Sequence, residues 1–130
     1  MDNTPYLLLP ELFTDFDGRA KFRDIQMPLR EGTSAAALSS LSLGQGYQFR
    51  QSPVDFRSNF HCTTMPQWLI VLSGAMEIGL QDGTTRVFRA GQCFLSNDTL
   101  PDGAVFDASV HGHWSAQAGD EALVTVFVRL

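Results

Sequence analysis

The chain has 130 residues, 44% of them hydrophobic and 18% charged, the balance of one packed domain and not of a disordered chain. Its net charge is −5, from 14 acids against 9 bases, with no Lys/Arg run; this argues against a nucleic-acid or anionic-membrane partner. No apolar run approaches the ~20 residues of a membrane span, no basic segment of a secretory signal is visible, and Cys62 and Cys93 form neither a CxxC pair nor a disulfide framework, so two reduced thiols in a cytoplasmic protein are expected.

A single domain over 1–130 is predicted, with a loop-like arm over 1–20 ahead of a barrel over 21–130. In the arm, Pro5 and Pro10 bracket the apolar Tyr6-Leu7-Leu8-Leu9, which reads as a short strand or as a clip on a partner. Asp15-Phe16-Asp17-Gly18 is a turn signal. Lys21 to Met27 reads as a strand ending at Pro28. Gly32 to Ser42 lacks a wide apolar stripe and reads as a loop, or a turn of helix at most.

Strand signals then repeat. Tyr47 to Arg50 alternates. Gln67 to Leu72 is β-rich and apolar on both faces, which predicts a central strand. Ser73-Gly74 is a reversal. Met76, Ile78 and Leu80 share one face of the next strand. Asp82-Gly83 predicts a two-residue type I′ hairpin into a strand over Thr84 to Phe88. Cys93 to Leu95, Val105 to Trp114 and Leu123 to Val128 follow, with a turn at Pro101-Asp102-Gly103. Eight or nine short strands with regular turns and no convincing helix predict an all-β sandwich or barrel.

The histidines are His61, His111 and His113. On a strand over Val105 to Trp114, positions 111 and 113 share a face. If that face is the interior, two imidazoles enter one cavity, and His61 joins them from a neighbouring strand. Imidazole is the commonest metal-ligand side chain and suits Zn, Fe, Cu or Ni. The plain alternative is a solvated edge residue or a hydrogen-bonded core histidine. Glu77 reads as an outer-face residue, Cys93 as a small core hydrophobe and Asp98 as a turn cap or a residue of the barrel mouth. Phe106 and Trp114 read as packing or pocket wall. Cys62 adjoins His61, but strand neighbours face opposite ways, so a Cys–His nucleophile pair is not expected. No phosphate loop, Gly-x-Ser-x-Gly elbow or His-Glu-x-x-His motif is present.

Residues 61–95 resemble the barrel of the cupin superfamily. The first cupin motif runs Gly, five residues, His-x-His, three or four residues, Glu, six residues, Gly. Here Asp55, His61, Thr63, Gln67 and Gly74 stand at those positions. Leu72 to Glu77 resembles the cupin L-x-G turn. Asp82-Gly83 with Phe88-Arg89-Ala90-Gly91-Gln92 resembles the opening of the second motif, whose Pro-x-Gly-x-x-His meets Asn97, Thr99 and Asp102 instead. Asn97-Asp98-Thr99 and Gly112-His113 resemble the two ends of an Asp-Thr-Thr-Gly-x-Gly-His segment of a small cupin subgroup, with Leu100 to Val110 inserted. Asp15 to Asp24 resembles that subgroup's start.

The resemblance implies a single jelly-roll β-barrel with a site inside it. Its metal-dependent members hold a divalent ion with two or three His and one Glu. The ligand-binding positions carried over are His61, Thr63, Gln67 and His113, with His111 as a possible substitute. Of these, His61, Gln67 and His113 would hold the metal (Zn, Fe, Ni or Mn). Thr63 is a poor ligand and Gln67 a neutral one, so binding of a small organic molecule at a degenerate metal site is the first expectation. A metal-dependent dioxygenase or isomerase is the alternative, and a non-catalytic structural or dimerisation domain a third. A homodimer is expected, through an apolar N-terminal strand that covers an edge.

Overall fold

The structure, a computed structural model, describes residues 2–130. Its strands are β1 (Tyr6–Thr14), β2 (Ala20–Pro28), β3 (Glu31–Thr33), β4 (Ala36–Leu38), β5 (Gly46–Ser52), β6 (Gln67–Ser73), β7 (Ala75–Gly79), β8 (Thr85–Arg89), β9 (Cys93–Asn97), β10 (Trp114–Ala118) and β11 (Leu123–Arg129). Among the described residues no helix is long and apolar enough to cross a membrane.

Two sheets enclose the core. One has the order β2-β1-β9-β6-β11-β5, the other β10-β7-β8. The stretch 57–61 extends the second sheet beyond β10 through the bridges Arg57↔Ala116 and His61↔His113. From β5 on, the chain passes back and forth between the sheets, only the hairpin β7–β8 staying within one, which makes a double-sheet jelly roll. The all-β jelly-roll expectation agrees with this. So does the central position expected for β6, which lies between β9 and β11.

The core comes from both sheets. Leu12, Leu69, Val71 and Phe94 meet Met76, Ile78 and Phe88 across the interior. Phe88 and Phe94 lie 4.5 Å apart between ring centroids. Each such side chain contributes about 1.5–3 kcal/mol when fully buried. The chain passes from β6 to β7 at Gly74, whose φ is +76°. A side chain there would also meet the Ala122 carbonyl oxygen at 2.6 Å, so only glycine suits this corner.

Several local expectations are corrected. The arm over 1–20 is not a loop: β1 is a full strand, antiparallel to β2 over its whole length and parallel to β9 over Glu11–Phe13. Its pattern is obscured by Pro10, and Glu11 is buried because Arg23 and Asn97 hold its carboxylate. Gly32 to Ser42 holds the small hairpin β3–β4. At Asp82-Gly83 only Gly83 takes a positive φ, +87°, so the turn is not type I′. Leu80 N–H instead donates to Thr84 O and Gly83 N–H to Leu80 O, a three-residue loop ending on a left-handed glycine. The strand expected over Val105 to Trp114 begins only at Trp114; residues 105–113 are a loop in which Val110 and His111 N–H groups donate back to Asp107 O.

Candidate functional site

Between the sheets lies a cavity of about 220 Å³, lined by Arg50, His61, Gln67, Ser96 and His113 above an apolar floor that includes Met76, Phe94 and Phe127. It exists because three pieces of chain converge. β5 brings Arg50, β6 begins at Gln67, and the bridge between 61 and 113 ties a loop to the start of β10. Across that bridge His61 N–H donates to His113 O at 2.9 Å and His113 N–H to His61 O at 3.0 Å. Gly112, with φ +86°, makes the approach possible, since a side chain there would lie 2.6 Å from the His61 carbonyl oxygen. The two imidazoles face each other with centroids 4.7 Å apart.

Each ring is held by its Nδ1. His113 is buried, and its Nδ1–H donates to Asp98 Oδ2 at 2.8 Å. Asp98 is fully buried; its other oxygen accepts from Thr14 Oγ1 at 2.7 Å, and its carbonyl accepts from Thr63 N–H. His61 stands at the exposed rim, and its Nδ1–H donates to Asn59 O at 2.9 Å. No buried side-chain nitrogen or oxygen among the described residues lacks a partner, so the free Nε2 of buried His113 opens on the cavity. Partial burial lowers the His61 pKa. The Asn59 carbonyl opposes that shift, while His113 and Arg50 reinforce it. The neutral imidazole thus has its hydrogen on Nδ1 and a lone pair on Nε2.

The expected site residues separate on inspection. His61, Thr63, Gln67 and His113 line one cavity. Thr63 is wall: its hydroxyl hydrogen-bonds Ser96 at 2.8 Å. His111 is elsewhere. It does not share a face with His113, because Gly112 turns the chain between them; its Nδ1 accepts from Asp107 N–H at 3.0 Å and its ring lies against Phe106. Phe106 and Trp114 line a separate surface hollow with Arg57. Cys62 lines the same cavity as His61, since 61–64 is not an extended strand; the expectation of opposite faces is corrected. Burial, with a smaller push from Asp98, raises the Cys62 pKa, which keeps the thiol protonated and a poor nucleophile. Asp55, at the motif's first glycine position, keeps the backbone conformation glycine favours, with φ +73°. Sequence reasoning missed Asp98 as the partner of His113, and missed Arg50 altogether.

The donor set does not suit a resident metal. Among the described residues no three His, Cys, Asp or Glu side chains come together. Two imidazole nitrogens, the protonated thiol of Cys62 and the neutral amide of Gln67 remain, and the nearest carboxylate, Asp98, is engaged behind His113. A catalytic metal centre uses three protein ligands, of which a carboxylate is often one.

No family model matches the chain, and no curated protein matches it. Solved structures resemble it distantly. The cupin-2 domain containing protein of Shewanella frigidimarina is 18% identical, with TM-score 0.43, over 68% of this chain and 76% of that one. The Drosophila melanogaster CENP-C cupin domain is 13% identical, with TM-score 0.46, over 100% and 83%. The Schizosaccharomyces pombe Cnp3 cupin domain is 12% identical, with TM-score 0.45, over 96% and 84%. Likenesses this distant bear on no residue of the cavity. The order of strands in the two sheets is what identifies the fold, an all-β double-sheet jelly roll.

Proposed function

We propose that the chain binds a small organic molecule inside the barrel, without a resident metal. The supporting observation is the pairing of free polar groups (His61 Nε2, His113 Nε2 and the Gln67 amide) with an apolar floor in one cavity. Few convergent polar groups over apolar walls are the usual makeup of a ligand pocket. At about 220 Å³ the space is below the ~300–1,000 Å³ of drug-sized sites, so the ligand is a small metabolite.

The test is a titration with small metabolites followed by NMR of the histidine side chains. Ligand in the cavity moves the ring signals of His61 and His113 and leaves those of His111, which lies outside, in place. Movement of His111 alone, or of none, rejects the proposal. Metal analysis of protein purified without a metal-affinity tag addresses the enzyme alternative: one equivalent of metal, lost in His61→Ala, would favour it. The two unpaired thiols, Cys62 and Cys93, suit a reducing compartment such as the cytoplasm. Pairing of two copies through half-exposed Tyr6, Leu7 and Leu8 on β1 is the partner proposed at the level of the whole chain.

A further inference from the structure

We infer that the cavity ligand is a small organic carboxylate with a short apolar body, and that Arg50 is its counter-ion. This rests on the binding reading above and names its ligand class.

The charge inventory of the cavity is one-sided. Its lining includes Arg50 and no Asp or Glu. The Arg50 side chain is in none of the ion pairs or hydrogen bonds among the described residues; its guanidinium is held only by stacking 4.8 Å over the Phe56 ring. On the adjacent strand β11, Arg129 by contrast donates to Gln48. Alternation along β5 accounts for its place, since Arg50 lies on the cavity side, exposed at the mouth, while Tyr47 and Phe49 are 71% and 68% exposed on the other face.

Of the remaining free groups the Gln67 amide complements an anionic head, whereas the Nε2 lone pairs of His61 and His113 accept hydrogen bonds and do not contact it. The Gln67 amide can donate two hydrogen bonds to a carboxylate, and the planar Arg fork matches its two oxygens. The opposing charge nearby, Asp98, is behind the His113 ring and satisfied there. Arg50 also helps to lower the His61 pKa, so its positive field reaches the rim of the cavity. Below the head, Leu69, Met76, Ile78, Phe94 and Phe127 would enclose an alkyl or phenyl body and would give a second charge no partner. A monoanion therefore fits better than a dicarboxylate.

The experiment is calorimetry with butanoate, hexanoate and benzoate against the corresponding alcohols, on the full chain and on Arg50→Gln. Arg50 is exposed, so the substitution does not threaten folding. At least one acid is expected to bind the native protein about tenfold or more tightly than its alcohol, as a charge-assisted paired contact would give. Arg50→Gln should remove that advantage while leaving the alcohol unchanged, and Arg50→Lys should restore part of it. Equal binding of acid and alcohol, or an acid indifferent to Arg50→Gln, overturns the inference. If the His61 and His113 signals still move on binding, the pocket reading survives that result. If no acid binds and those signals stay still, both fall.

Discussion

Asp98 holds the site together from behind. Its carboxylate accepts from His113 Nδ1 and from the Thr14 hydroxyl, and it is completely enclosed. Asp98→Ala should cost about 1–3 kcal/mol for each partner left unpaired in the interior, read as a lower urea midpoint. Loss of less than a tenth of the native midpoint would show that the pair does not hold the fold. His61 gives a pH signature. Its pKa is lower folded than unfolded, because burial, reinforced by His113 and Arg50, disfavours the imidazolium more than the Asn59 carbonyl and, less, Asp98 favour it. The unfolded chain therefore binds the proton first, and stability falls as pH drops through the ordinary histidine range near 6.5. The loss levels off below the folded pKa. Urea midpoints at pH 7.5 and 5.5 should differ less in His61→Gln than in the native protein; equal differences would contradict this. The histidines themselves were visible in the sequence. The role of Asp98 was not, because its partners stand 15 and 84 residues away and only the folded sheets bring them into reach.

Among the elements, the bridge between residues 61 and 113 depends on a single glycine. Gly112→Ala would force an alanine into a left-handed backbone and a methyl group to within 2.6 Å of the His61 carbonyl oxygen. The strain alone is about 1–3 kcal/mol. The expected result is a lowered melting temperature together with loss of the cross-strand amide protection of His61 and His113, measured by hydrogen exchange. Unchanged protection would mean that the bridge tolerates a side chain. Element legibility follows the strength of the local pattern. β6 was readable because it is apolar on both faces, and β7 because Met76 and Ile78 alternate with Glu77. The loop over 105–113 was misread as strand because Val105, Val110 and Trp114 are apolar, although Val105 is 87% exposed. Hydrophobicity without regular spacing is a weak strand signal. The same misreading put His111 beside His113.

For the molecule as a whole, the jelly roll was legible in outline, since many short strands without helices leave few other architectures. The joining of the first strand to the large sheet was not legible. Parallel pairing of β1 with β9 links segments far apart in sequence, and no turn signal announces it. The apolar start of β1 keeps a free edge, because its pairing with β9 begins only at Glu11. Half-exposed Tyr6, Leu7 and Leu8 on that edge lead to the expectation of a concentration-dependent dimer in sedimentation. Leu7→Lys should shift it to monomer. A native monomer at micromolar concentration would contradict the pairing.

The Thr14 hydroxyl, at the end of that strand, also has a practical consequence. It sits 2.7 Å from the Asp98 carboxylate and 2.8 Å from the Thr99 carbonyl oxygen, so the amino-terminal strand is bolted to the support of His113. Trimming into that strand would take a hydrogen bond from the Asp98 carboxylate and so loosen the seat of the buried imidazole.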